Sequence, residues 1–140
     1  MRICGCEISA QEVRLAVVYY DDDGQPAKLP IGTTRIEISD DTSDAELKFC
    51  LAQLQAFADE HKIETFIIKS RARKGKMAGG PATFKLETLI QLVDGTKTRF
   101  VHAATLAAFS KKEIQGYPDK LPVYLKNAYV TGVYGLSKLP

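Results

Sequence analysis

Thr65-Phe66-Ile67-Ile68-Lys69-Ser70-Arg71-Ala72-Arg73-Lys74-Gly75-Lys76 is the stretch that decides the fold class. Its first four residues form an apolar run without alternation, the mark of a strand covered on both faces at the centre of a sheet. Such a strand needs helices above and below it, so the chain reads as α/β. Five positive charges then fall between Lys69 and Lys76 with no acid among them, and Gly79-Gly80-Pro81 follows. Pro81 suits a first helical turn, where its missing N–H costs nothing. A central strand thus feeds a basic, glycine-bearing loop that enters a helix.

Downstream, Ala82, Leu86, Leu89, Ile90 and Val93 form the buried stripe of that helix, and Asp94-Gly95 stops it. Thr98 to His102 reads as a further strand and Ala103 to Lys111 as a short helix with Leu106 and Phe109 inward. Lys112 to Pro122 is polar and reads as a loop. A final helix from Pro122 to Ser137 would bury Leu125, Ala128, Val133 and Leu136.

Upstream, residues 2 to 9 and 12 to 20 are apolar-rich runs joined by Ala10-Gln11, a hairpin pattern. Asp21-Asp22-Asp23-Gly24 and Pro26 break it, and Thr33 to Ile38 resumes it as a third antiparallel strand. Ser43 and Glu46 have capping-box spacing, so a helix is expected to start there, its hydroxyl accepting from a free N–H while the carboxylate reaches back. Leu47, Cys50, Leu51, Leu54, Phe57 and Ala58 lay one stripe on the sheet, and the helix ends near His61.

A chain of 140 residues with 45% hydrophobic content matches one core, so residues 1–140 are expected to form a single domain. The start, Met1 to Glu7, meets a carboxylate before any apolar stretch of signal-peptide length, and no run could span a bilayer; a cytoplasmic protein with no membrane partner is expected. Three cysteines, Cys4, Cys6 and Cys50, read as reduced, buried small hydrophobes rather than zinc ligands. The net charge is +2, yet Lys69 to Lys76 alone contributes more than that, so the basic character is local.

The element order β-β-β-α-β-α-β-α-α is that of a ribonuclease-H-like domain, a five-stranded mixed sheet with helices on both faces. Lys74-Gly75-Lys76-Met77-Ala78-Gly79-Gly80, continuing through Phe84-Lys85-Leu86-Glu87 to Ile90-Gln91-Leu92, resembles the signature of an uncharacterised bacterial family, domain of unknown function 3010. Arg2-Ile3-Cys4-Gly5-Cys6-Glu7 and Asn127-Ala128-Tyr129-Val130-Thr131 are similar too, so the resemblance runs nearly end to end. More distantly, the chain is similar to Holliday-junction resolvases of the RuvC type. That resemblance implies acids at the ends of the first and fourth strands and at the start of the last helix, holding divalent cations for phosphodiester cleavage. On this sequence those positions are Glu7, Lys69 and Asn127. Two-metal hydrolysis needs several carboxylates around ions about 4 Å apart, so the implied metal site is expected to be lost.

The loop is therefore the leading candidate site. A strand's carboxyl end, a helix N-terminus, glycines and cations together favour an anion. Lys69, Arg71, Arg73, Lys74 and Lys76 would supply charge, and Gly75, Gly79 and Gly80 close backbone approach; the alternative is a solvated, positively charged surface segment. No P-loop or dinucleotide fingerprint is present. Glu7 is either a site residue or the partner of a cation such as Lys69, the ion pair being favoured; if both ends are desolvated, removing one should cost about 3–5 kcal/mol. Asn127, Lys126 and Thr131 on the last helix either face that pair, if the fold holds, or are solvent-facing polar groups, the latter being favoured for each taken singly. The expected function is non-catalytic binding of an anionic ligand, nucleic acid or a phosphorylated molecule, with no cofactor. The alternatives are a divergent nuclease using Glu7, where magnesium would enter, and an assembly role, for instance as a homodimer.

Overall fold

Residues 1–70 and 80–139 are described by a computed structural model. In chain order the elements are β1 (Ile3–Ser9), β2 (Glu12–Tyr20), β3 (Pro26–Lys28), β4 (Arg35–Glu37), α1 (Asp44–His61), β5 (Thr65–Ser70), α2 (Pro81–Gln91), β6 (Lys97–His102), α3 (Ala103–Glu113) and α4 (Lys126–Lys138), with a 3-10 turn over Val123–Leu125. The sheet runs β3-β2-β1-β5-β6, and β4 also pairs with β2. β1 and β2 are antiparallel, while β1, β5 and β6 are parallel. This is the mixed sheet expected, with six strands among the described residues rather than five.

The hairpin register follows from its two-residue turn. Ala10 takes a left-handed φ of 53°, the conformation such a turn demands, and the register then sets Glu7 opposite Arg14. The third strand differs from the sequence expectation: β3 and β4 are two short pieces on the same edge of β2. The carboxylate of Asp21 accepts from the N–H groups of Asp23 and Gln25, closing a turn that returns the chain to β2 at Pro26. A proline is tolerated there because its ring occupies an edge. Leu29 N–H still bonds Val17 and Leu15 N–H bonds Thr34, so the interruption lies between those two contacts.

Phe66, Ile67 and Ile68 are each 0% exposed, and they divide between two cores. Phe66 and Ile68 join Cys4, Cys6, Leu54, Leu86 and Ile90 beneath α1 and α2; Ile67 joins Ile3, Val101, Leu106, Ala128 and Val133 beneath α3 and α4. Helices thus cover both faces. The last helix begins later than its pattern suggests, because Leu125 N–H bonds Pro122 in a 3-10 turn before α4 proper starts at Lys126.

The α1 cap is half as read. Ser43 Oγ accepts from Glu46 N–H, but the Glu46 carboxylate passes over Ser43 and accepts from the Ser39 N–H and hydroxyl at 2.9 and 2.7 Å. Those bonds hold the Glu46 carboxyl below its ordinary range. Ser43 N–H bonds the Asp40 carbonyl instead.

α4 lies unusually close to β1. A Cβ built on Gly5 would stand 2.0 Å from the Ala128 carbonyl oxygen and 2.3 Å from the Gly132 nitrogen; one on Gly135 would meet Ile67 at 2.4 Å. Small residues on strand and helix permit backbone-to-backbone contact. The cysteines are free and buried: burial pushes the Cys4 thiol well up and that of Cys50 to about 11. No described helix is long and apolar enough to cross a membrane.

Candidate functional site

At the carboxyl ends of β1 and β5, three side chains from distant parts of the chain meet. The Lys69 ammonium lies 3.6 Å from Glu7 Oε2, and Asn127 at the start of α4 donates its amide N–H to the same oxygen at 2.7 Å. Backbone causes place them. Ile3, Gly5 and Glu7 share the face toward α4, the parallel register puts Lys69 one step past the Cys6–Ile68 pair, and the Gly5 contact brings the first turn of α4 down onto β1.

A fourth residue completes the group. Arg14 Nη1 stands 3.5 Å from Glu7 Oε1 while its Nε donates to Glu12 at 2.9 Å. That hydrogen bond to Glu12 is the chief reason the guanidinium holds its proton more tightly than usual. Arg35 continues the row, 3.6 Å from Glu12 and stacked 3.9 Å from the Tyr124 ring centroid. Lys69, Glu7, Arg14 and Arg35 are successive cross-strand neighbours on β5, β1, β2 and β4. Sequence reasoning left Arg14 and Arg35 out, although the turn length alone sets Arg14 opposite Glu7.

The pairing expected between Glu7 and Lys69 is present, but the condition attached to its energetics is not met. The side chains of Glu7, Lys69 and Arg14 retain 14%, 25% and 26% of their accessibility, so the pair is half-shielded rather than desolvated. The cost of breaking it falls below the buried-pair range.

These donors do not suit a divalent ion. Glu7 already accepts from an amide and faces two cations, and a metal approaching it would meet two like charges at contact distance. Among the described residues no three His, Cys, Asp or Glu side chains are grouped to hold a metal. His61 ends α1 beside Phe57 and Glu60, and His102 precedes α3 on the surface; neither joins the group. Thr131 is buried and its hydroxyl bonds the Asn127 carbonyl within α4, while Lys126 covers Tyr117 rather than Glu7.

Of the basic loop, Lys69 and Gly80 are placed. Gly80 is the N-cap of α2, with Pro81 in its first turn and no side-chain cap bond. Arg71, Arg73, Lys74, Gly75, Lys76 and Gly79 lie outside the described residues.

A family model described as "Protein of unknown function (DUF3010)" matches residues 1–134. No curated protein matches the chain in sequence. Among solved structures, the chain is similar to Thermus thermophilus RuvC, with a TM-score of 0.68 at 10% identity over 95% of this chain and 92% of that one. T. thermophilus RuvC in complex with Holliday junction substrate matches with the same score at 12% identity, over 95% and 90%. The fowlpox virus Holliday junction resolvase matches with a TM-score of 0.53 at 14% identity over 99% and 100%. At these identities the likeness shows the fold, the ribonuclease-H-like one that the element order implies.

Proposed function

The chain belongs to the family described as protein of unknown function DUF3010, and on that premise we propose that it binds the phosphate backbone of nucleic acid, without cleaving it, at the carboxyl ends of β1 and β5. The observation that carries this is the condition of Glu7. Its carboxylate faces Arg14 and Lys69 and takes the amide N–H of Asn127, so its charge is directed into the protein. Three cations, Lys69, Arg14 and Arg35, line the position against two acids, Glu7 and Glu12, that are both committed to them, a field that stays net positive, favours phosphate and opposes magnesium.

Three further points support the reading. Ligands of open α/β sheets gather outside the carboxyl ends of the strands. Lys69 leads directly into a segment that adds Arg71, Arg73, Lys74 and Lys76 before Gly80 opens α2. Nucleic acid is favoured over a small phosphorylated molecule because the similar T. thermophilus RuvC is known in complex with Holliday junction substrate.

Fluorescence anisotropy with branched, duplex and single-stranded DNA between about 50 and 300 mM salt tests this. Neutralising about four to six phosphates predicts a log-log slope of roughly −4 to −5, and Lys69→Met should make it shallower by about one. A flat salt response removes the nucleic-acid reading. Magnesium- or manganese-dependent cleavage that vanishes in Glu7→Gln removes the non-catalytic one.

A further inference from the structure

Between α3 and α4, beside the end of β5, lies a cleft of about 360 Å³, within the roughly 300–1,000 Å³ usual for small-ligand sites. Its walls are mixed: Leu106 and Ala107 on α3 and Val130 on α4 are apolar, while Ser110, Asn127 and Thr131 add polar groups. Lys69 stands next to the start of α3, and Lys111 projects about two turns further along that helix. Lys111 makes no ion pair among the described residues, and no acid lines the cleft among them. At the rim, Tyr117 is 39% exposed, with its ring held 6.0 Å from Tyr129 and beneath the Lys126 ammonium at 4.9 Å.

A ligand matching this has a flat face that packs on the aliphatic side chains, polar edges for the hydroxyl and amide groups, and an anion on either side. We infer that the α3–α4 cleft takes one unpaired nucleotide, its base between Leu106, Ala107 and Val130 on one side and Tyr117 on the other, and its flanking phosphates on Lys69 and Lys111. A base inside a duplex is stacked on both faces and cannot enter, whereas a looped-out or single-stranded one can. The inference rests on the nucleic-acid reading of Lys69 and adds selectivity to it: the protein distinguishes strands by what is unpaired. A free nucleoside monophosphate carries the same chemistry and is the second source the cleft could accept.

Two DNA probes of equal length are compared by anisotropy, one a perfect duplex and one bearing a single extrahelical 2-aminopurine nucleotide, with equilibrium dialysis of deoxyadenosine monophosphate alongside. Wild type is expected to prefer the extrahelical probe by about tenfold, with 2-aminopurine fluorescence altered by stacking. Ala107→Phe, exposed on α3 and filling the cleft, should abolish that preference while leaving duplex affinity within about twofold; Tyr117→Ala should reduce it. Salt-dependent binding that is equal for both probes, with no monophosphate bound, overturns the inference and leaves the backbone-binding reading standing. Monophosphate binding that Ala107→Phe removes, with neither DNA bound, does the reverse. A preference that survives Ala107→Phe in a folded protein also overturns it.

Discussion

Replacing Glu7 with Gln separates the binding and nuclease readings by the sign of one effect. The substitution keeps the size of the side chain and an oxygen for the Asn127 amide, but removes the charge facing Arg14 at 3.5 Å and Lys69 at 3.6 Å. With 14% of the Glu7 side chain accessible and about a quarter of each cation, the loss lies between an exposed pair and a buried one, about 1–2 kcal/mol. For a chain of this size that lowers Tm by about 3–8 °C. Binding should move the other way. A carboxylate within contact range of a bound phosphate opposes it by about 1 kcal/mol in water, so its removal raises DNA affinity roughly fivefold at low salt. The gain should shrink by about 300 mM salt as screening shortens. Anisotropy and differential scanning calorimetry on the same preparations measure both quantities. Weaker DNA binding in Glu7→Gln than in wild type would refute the reasoning, because it would make the carboxylate an attractive element of the site.

Gly5→Ala should destabilise by about 3 kcal/mol or more, since the added methyl meets the Ala128 carbonyl and the Gly132 nitrogen rather than a yielding side chain; a denaturant midpoint equal to wild type would contradict that contact. Glu46→Gln should lower Tm at about pH 7, and the gap should close with acid. The folded carboxyl titrates below its ordinary value of 4.5, so its contribution is complete above that pH and is lost as pH falls through the lower folded value; a gap that does not narrow as pH is taken below 4.5 would oppose it. Native protein at about pH 8 should take up no thiol reagent at Cys4, Cys6 or Cys50, and all three should react in denaturant, as mass spectrometry can count.

The central strand was legible because a run of apolar residues with no polar alternation fits few elements besides a strand enclosed on both faces, and Phe66, Ile67 and Ile68 are all fully enclosed. The helix stripes of α1, α2 and α4 followed from spacing on a similar principle: burial on one side leaves a periodic trace. The outer edge of the sheet was harder to read. Asp21, Gly24 and Pro26 announce a turn, and nothing in their types shows that Pro26–Lys28 rejoins β2 before Arg35–Glu37 does. In the site, Glu7, Lys69 and Asn127 were found together because the resemblance to RuvC-type resolvases implies site positions at the ends of the first and fourth strands read from the sequence and at the start of the last helix. Arg14 and Arg35 depend on register across strands: the Ala10-Gln11 turn encodes that of Arg14 only when residues are counted outward from it, and the pairing of Arg35 with Arg14 is set after the long connection between Tyr20 and Arg35. Glu46 kept its helix-capping position but chose partners upstream of the cap, a choice made by the loop geometry around Ser39 rather than by spacing.

The pinch between Gly5 and α4 has a bearing on recognition as well as on folding. Ala128 and Gly132 clasp position 5, and Asn127 precedes that clasp by one residue while Glu7 lies two beyond it along the strand. Any side chain at 5 would act as a shim under the helix, lifting the amide away from the carboxylate and freeing Glu7 to turn outward. The absence of one hydrogen-for-methyl exchange therefore fixes which way a nearby acid points, and on the proposed reading the polarity offered to nucleic acid would be set from inside the molecule.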